Sequence, residues 1–421
     1  MAALCAIYSA SGVAGAATPT SASGDAFRLA ASAPQAGQAA ITVTQFFSWA
    51  EQAYAVYFPG PQTDQFAPSL VYRYYPGTRN YLGVVGETVY AMGPATGDQV
   101  VALGNLADFT CWVTPQACVA PPPTTAQRAA AAQAAASSVN NACAAVAPFY
   151  WEIGDAHGKL ASGSVTGPLG VARYSETSSM AIASASKWLF AAYVVQRREG
   201  ALSVDDVRFL NFRSGYTSFI SCLKGQTVDG CLAFPAANGA FTAAQVDLFS
   251  YGGGHMQQHA SRLGLGALDN AGLAAELRFQ LGNDVGLTYN QPQLAGGAQS
   301  TPQDYARFLR KLINGDLRLG ALLGSQPVCT NPSTCAQALK TPIPQSESWH
   351  YSLGHWVEDD PLLGDGAFSS PGAFGFYPWV DAARGTYGVV ARELQGEQSG
   401  VESAFCGRLI RKAWATATGS P

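Results

Sequence analysis

Ser184 and Lys187 stand three residues apart in Ala181-Ile182-Ala183-Ser184-Ala185-Ser186-Lys187-Trp188-Leu189-Phe190, which runs on through Ala191, Ala192, Tyr193, Val194 and Val195. The apolar run predicts a helix, stopped at Gly200 after Arg197, Arg198 and Glu199. Residues three apart share a helix face, so the hydroxyl and the amine would meet. A lysine rarely enters an apolar helix without a partner, because dehydrating its charge is costly. The same dehydration lowers the pKa of the amine and can make it a base for a neighbouring serine. The spacing offers a nucleophile and its activator within one turn.

Other patterns carry less. Ser221-Cys222-Leu223-Lys224 repeats the spacing but sits in a polar loop between Cys222 and Cys231, with no apolar helix behind it, and reads as a chance match. His255 and His259 are four apart and could share a helix face as metal ligands. Met256 stands where the zinc-protease pattern needs a glutamate, so the two histidines read as structural or pocket-lining, and no metal or cofactor is implied. No Gly-x-Ser-x-Gly elbow occurs, which argues against an ordinary α/β-hydrolase.

The elements that must position these groups follow from the wider chain. Its 421 residues allow two or three domains and a large core. Only 12% are charged and the net charge is -4, which leaves no basic patch for nucleic acid or an anionic membrane. Outside the extreme N-terminus, no apolar run reaches the roughly 20 residues of a membrane helix. Residues 1–24 are small and apolar, without Lys or Arg before Arg28, and read as the remains of a secretory signal with cleavage candidates near Ala14 to Ala17. The cysteines fit export. Cys111/Cys118, Cys222/Cys231 and Cys329/Cys335 could each close a short loop, Cys143 and Cys406 remain to be joined, and Cys5 falls in the signal-like segment. A secreted or periplasmic location is expected.

Residues 40–118 read as a small aromatic-rich module. A helix is expected around Phe46 to Tyr54, followed by strands at Leu70 to Tyr75, Asn80 to Val84 and Thr88 to Met92. Its aromatics are expected in the core. Residues 119–127, with Pro121-Pro122-Pro123, form a stiff linker, and 128–421 a second domain. That domain should open with an alanine-rich helix over Ala126 to Ala147, then a hairpin from Phe149 to Ser162 about Gly154 to Gly158. A loop-rich middle reaches about Asn290. An amphipathic helix follows from Tyr305 to Ile313, then strands at Tyr351 to Val357, Ala373 to Val380 and Thr386 to Arg392, and a terminal helix from Glu402 to Trp414.

From about Pro148 to Trp414 the chain resembles the serine β-lactamase / penicillin-binding-protein superfamily, in its class C and family VIII esterase branch. Ser184-Ala185-Ser186-Lys187 matches the nucleophile motif. Phe209 to Tyr216, Gly296-Gly297-Ala298-Gln299-Ser300-Thr301 with Asp304, Tyr351 to Trp356, and Ser370-Pro371-Gly372-Ala373 resemble later segments in the same order. The resemblance implies an α+β fold: an antiparallel sheet flanked by helices, plus a helical subdomain, behind the small helix-plus-sheet module. It also implies that Tyr251, in Tyr251-Gly252-Gly253, moves protons with Lys187, and that the backbone N–H groups of Ser184 and Ala373 hold the oxyanion. The glycines would let backbone approach the substrate closely.

Two departures matter. Gly253 replaces the asparagine that usually grips a substrate amide, and Ser370 replaces a lysine or histidine. Both changes remove recognition of a β-lactam or a D-Ala-D-Ala terminus and leave the acylation machinery in place. A neutral ester, small or polymeric, is therefore the expected substrate, with Gly253, His255, Ser370, Gly372 and Phe374 as candidate pocket residues. The rival within hydrolases is a DD-peptidase, β-lactamase or amide hydrolase. A rival of another class is an inactive binding or adhesion protein on a hydrolase fold.

Overall fold

Thr42 opens the first described helix. Its hydroxyl accepts from Gln45 N (3.2 Å), while the Gln45 side chain accepts from Thr42 N (2.8 Å), a reciprocal cap on Val43–Ala53. The computed structural model describes residues 41–419 apart from 61–62, 68–69, 116–121, 168–169 and 395–398, so the signal-like segment and Cys118 lie outside the described residues. The described chain divides into two compact units, one ending at Pro122 and the other beginning at Pro123.

In the smaller unit, the capped helix accompanies an antiparallel five-stranded meander: Thr63–Ala67, Leu70–Tyr75, Asn80–Val85, Thr88–Met92 and Val101–Asn105. Phe46, Phe47, Tyr75, Leu82, Val84, Val89 and Phe109 form its core. The first and last strands were not expected from the sequence. Strand alternation sends Tyr74 and Tyr81 to the other face, their ring centroids 4.4 Å apart.

The larger unit is built on an eight-stranded antiparallel sheet. Its spatial order is Val328–Cys329, His350–Ser352, His355–Glu358, Ala367–Ser369, Tyr377–Val380, Thr386–Ala391, Phe149–Asp155 and Lys159–Val165. Helices cover both faces. Tyr387 reaches Arg310 on the Pro302–Asn314 helix (2.8 Å), whereas Gly407 on the Ser399–Thr416 helix packs on Val390 and Tyr377. Covered on both sides, Phe149 to Gly154 are all buried. This is the expected α+β, β-lactamase-like architecture with a helix-plus-sheet module before it.

Local chemistry redraws several boundaries. The expected helix over Ala126 to Ala147 is two, Thr125–Ser137 and Ala142–Val146. Asn141 breaks it: its carboxamide accepts from Cys143 N (2.8 Å) and donates to the Ala135 carbonyl (2.9 Å), capping the second piece and closing the first. The break brings Cys143 to Cys406, with which it forms a disulfide, as do Cys222 with Cys231 and Cys329 with Cys335. Residues 373–375 form a turn with Gly375 at φ 104°, so the strand expected from Ala373 begins at Tyr377. Leu353 and Gly354, both at positive φ, fold the expected Tyr351 to Val357 strand into a hairpin. The middle region holds the helices Val228–Ala233, Gly254–Ala260 and Asn270–Leu281. Among the described residues, no helix is long and apolar enough to cross a membrane.

Candidate active site

Ser184 sits in a tight turn, Ala183–Ala185, between the short strand Met180–Ala181 and the helix Ser186–Arg197. The strand pairs with Ala298–Ser300, and Ile182 N donates to the Ala298 carbonyl (3.1 Å). Ala183 is held at φ 43°, an uncommon conformation for a residue with a side chain. Surrounding bonds fix it. Ala298 N donates to Ser186 Oγ (3.2 Å), Tyr305 Oη to the Ala185 carbonyl (2.8 Å), and Ser370 Oγ to the Ser184 carbonyl (3.1 Å). The helix is apolar all round and buried from Ser186 to Val195, as a core helix must be.

Lys187 is carried into that core and is only 5% exposed. Its Nζ donates to Ser184 Oγ (2.8 Å) and to the Ala295 carbonyl (2.7 Å). Burial alone lowers the amine to about 7, a value at which a large neutral fraction exists near physiological pH.

Tyr251 comes from a distant part of the chain. Phe249–Ser250 pairs in parallel with Ala338–Lys340, and Tyr251 N donates to the Lys340 carbonyl (2.9 Å). Its ring is boxed by Trp356 (stacked, 5.3 Å), Phe212 (5.3 Å) and Tyr351 (5.9 Å), with the Lys187 Nζ 4.8 Å from its centroid. Burial pushes the phenol up to about 12, against hydrogen bonds from Ser184 and Trp356. The phenol is therefore a proton donor at neutral pH, and tyrosinate is not the resting form.

The three groups share one cavity of about 420 Å³, also lined by Gly252, Gly253, Ala373, Phe374 and Gly296. Ser184 and Ala373 are brought to the same wall, because Gly372 N bonds the Phe376 carbonyl (2.8 Å) and Gly372 lies directly on the Ile182 carbonyl. Asn290, Gln291 and Gln293 also line the cavity, which sequence reasoning missed. They stand in the turn before Ala295, and the Lys187–Ala295 bond links this turn to the Ser184–Lys187 pair only in three dimensions.

Three sequence-predicted pocket residues stand elsewhere. His255 is fully buried, with Nδ1 2.7 Å from Ser214 Oγ and Nε2 3.0 Å from the Ser250 carbonyl. Burial lowers it to about 4, so it is neutral and structural. Ser370, 2% exposed, spends its hydroxyl on the Ser184 carbonyl rather than on the cavity. Gly372 is buried behind Ala373. His259 bonds Asp206 (2.9 Å), a structural tie between two helices. The glycines after Tyr251 also have a different use. A Cβ at Gly252 would stand 2.9 Å from the Thr217 carbonyl oxygen, and one at Gly254 would stand 2.6 Å from that of Tyr216. The close neighbour at these two positions is the protein's own 216–218 backbone.

No family model matches the chain, and no curated protein does. Solved structures do. EstCE1, described as a hydrolase with promiscuous acyltransferase activity, superposes with TM-score 0.52 at 11% identity, covering 69% of this chain and 99% of its own. The D-amino acid amidase from Ochrobactrum anthropi, complexed with L-phenylalanine, superposes with TM-score 0.50 at 13% identity, covering 68% and 98%.

Proposed function

From a chain whose larger unit has the serine β-lactamase / penicillin-binding-protein fold, we propose an exported serine hydrolase that cleaves a neutral carboxylic ester through an acyl-enzyme on Ser184. The observation that carries this reading is the 2.8 Å contact between Ser184 Oγ and a dehydrated Lys187 amine whose pKa is lowered to about 7. The neutral amine takes the Ser184 proton as Oγ attacks the ester carbonyl. The N–H groups of Ser184 and Ala373 hold the resulting oxyanion. Collapse breaks the bond to the alkoxy oxygen, which takes a proton from Tyr251, and the phenol is reprotonated by the Lys187 ammonium. Water then repeats the sequence against the acyl-enzyme and releases the acid.

Among the described residues lining the cavity, Lys187 is the one cationic side chain, and it is committed to Ser184 and Ala295. This favours a substrate without a carboxylate to anchor. One of the superposing structures named above is a D-amino acid amidase, so amide hydrolysis is the competing activity. The Cys143–Cys406, Cys222–Cys231 and Cys329–Cys335 disulfides support an oxidising compartment, outside the cell or in the periplasm.

The test is turnover of p-nitrophenyl butyrate against nitrocefin, with Ser184→Ala as control and a fluorophosphonate probe for Ser184. Ester turnover abolished in the variant, with little nitrocefin cleavage, is expected. Brisk nitrocefin cleavage would overturn the ester preference, and an unlabelled Ser184 would point to a binding protein.

A further inference from the structure

The turn from Asn290 to Gly297 spends its backbone groups and leaves its side chains unspent. Gln293 N donates to the Gln291 carbonyl (2.7 Å), Gly297 N to the Gln293 carbonyl (2.8 Å) and Asn290 N to the Gly297 carbonyl (3.0 Å). Three side chains reach the same backbone from outside. Asn270 Nδ2 donates to the Asn290 carbonyl (2.9 Å), Gln257 Nε2 to the Pro292 carbonyl (2.8 Å) and Lys187 Nζ to the Ala295 carbonyl (2.7 Å). Asn290, Gln291 and Gln293 all line the cavity, yet their carboxamides have no hydrogen-bond partner among the described residues.

Gln293 is the best placed of the three. A Cβ on Gly296, which also lines the cavity, would stand 3.1 Å from Gln293 Nε2 and 3.9 Å from the Ala183 carbonyl carbon. The unspent amide and the backbone just before Ser184 therefore flank the same glycine.

We propose that Gln293, with Gln291 and Asn290 beside it, is a specificity-determining residue that binds hydroxyl groups on the alcohol part of the ester. The substrate is then an ester of a polyhydroxy alcohol. The proposal rests on the ester-hydrolase reading above and names the alcohol that reading leaves open.

A carboxamide both donates and accepts, so its best partner is neutral and does the same. A hydroxyl does so through a single atom. Three carboxamides on one turn match several hydroxyls on neighbouring carbons, the pattern of a glycerol or a sugar. Lys187, the one cationic side chain among the described lining residues, is committed to Ser184 and Ala295, so a charged group finds no partner here. Gln291 and Gln293 are half-buried, and a substrate that covers them displaces their water. A hydroxyl replaces the lost bonds, whereas a methylene leaves the amides unpaired. Each such bond is worth about threefold to tenfold in selection.

The experiment compares 1-monobutyrin with propyl butyrate, which share the acyl group and a three-carbon alcohol and differ in two hydroxyls. Butyrate release by pH-stat gives kcat/KM in four full-length proteins: wild type, Gln291→Met, Gln293→Met and the double variant, with thermal melting of each. The intrinsic reactivity of the two esters is the same in every protein, so a change in their ratio isolates the carboxamides. Wild type should favour monobutyrin, and Gln293→Met should shrink that preference about threefold to tenfold, chiefly through KM for monobutyrin. The double variant should shrink it further. A merely structural role would slow both esters together and leave the ratio where it was. Methyl 6-O-butyryl-glucopyranoside is run alongside: a larger loss on it than on monobutyrin assigns a sugar, the reverse a glyceride, and both support the polyol. An unchanged ratio in the double variant overturns the proposal alone. A wild type that cleaves neither p-nitrophenyl butyrate nor monobutyrin overturns the ester reading, and this selection with it.

Discussion

Gly372 lies directly on the carbonyl of Ile182, two residues before Ser184, with no room between them for a Cβ. This contact sets the distance between the two stretches that carry the proposed oxyanion donors, Ser184 and Ala373. Gly372→Ala is expected to spread them and lower kcat by about a hundredfold or more while leaving KM within a few-fold. Steady-state kinetics on a p-nitrophenyl ester, with thermal melting to confirm a folded variant, checks this.

The pH dependence follows from Lys187. A base must be neutral to accept a proton, and burial lowers this amine to about 7. Below that value kcat/KM should fall by about tenfold per pH unit, and above it should level off. Tyr251, raised to about 12, stays protonated throughout, so no falling limb is expected up to about pH 10. A flat profile between pH 5 and 8 would remove Lys187 from the role of base.

Tyr251 is assigned to protonating the leaving group, so its loss should depend on what leaves. Tyr251→Phe is expected to slow an ethyl ester by about a hundredfold or more and a p-nitrophenyl ester far less, since nitrophenolate departs without a proton. Equal losses on both would assign the phenol to another step.

Lys187 is also a thermodynamic burden. Its folded pKa, lowered by burial, lies below that of the unfolded chain, so the unfolded state binds more protons between the two values and stability rises with pH there. At acid pH the buried amine is charged and its full cost is felt. Lys187→Met should therefore be inactive yet melt higher than wild type, with a larger gain at pH 5 than at pH 9. Melting curves at the two pH values test the sign.

Cys143–Cys406 closes a loop spanning 263 residues, long enough for a large loss of chain entropy in the unfolded state. The double variant Cys143→Ser/Cys406→Ser should lose about 2–5 kcal/mol in urea unfolding and keep its ester turnover at low temperature.

The nucleophile helix, the Phe149 hairpin, the Pro302–Asn314 helix and the meeting of Ser184, Lys187 and Tyr251 could be read from the sequence, because each rests on local periodicity or on motif order. The helix Asn270–Leu281 was passed over, although Asp269 caps it and Leu273, Leu277 and Leu281 mark its buried face at intervals of four. Its signal was present but diluted by glycine, alanine and charge. His255 and Ser370 were misplaced for another reason. Both sit near motif residues in the chain, yet the helix turns His255 into the core and the bond to the Ser184 carbonyl takes the Ser370 hydroxyl.

The central sheet joins the two ends of the larger unit, Phe149–Asp155 lying against Thr386–Ala391. During synthesis the first hairpin must wait, one edge unpaired, until the ribosome has delivered residue 391. A nascent chain carrying Ser184, Lys187 and Tyr251 already translated still lacks the scaffold that gathers them, so the proposed catalytic cavity is a late product of folding.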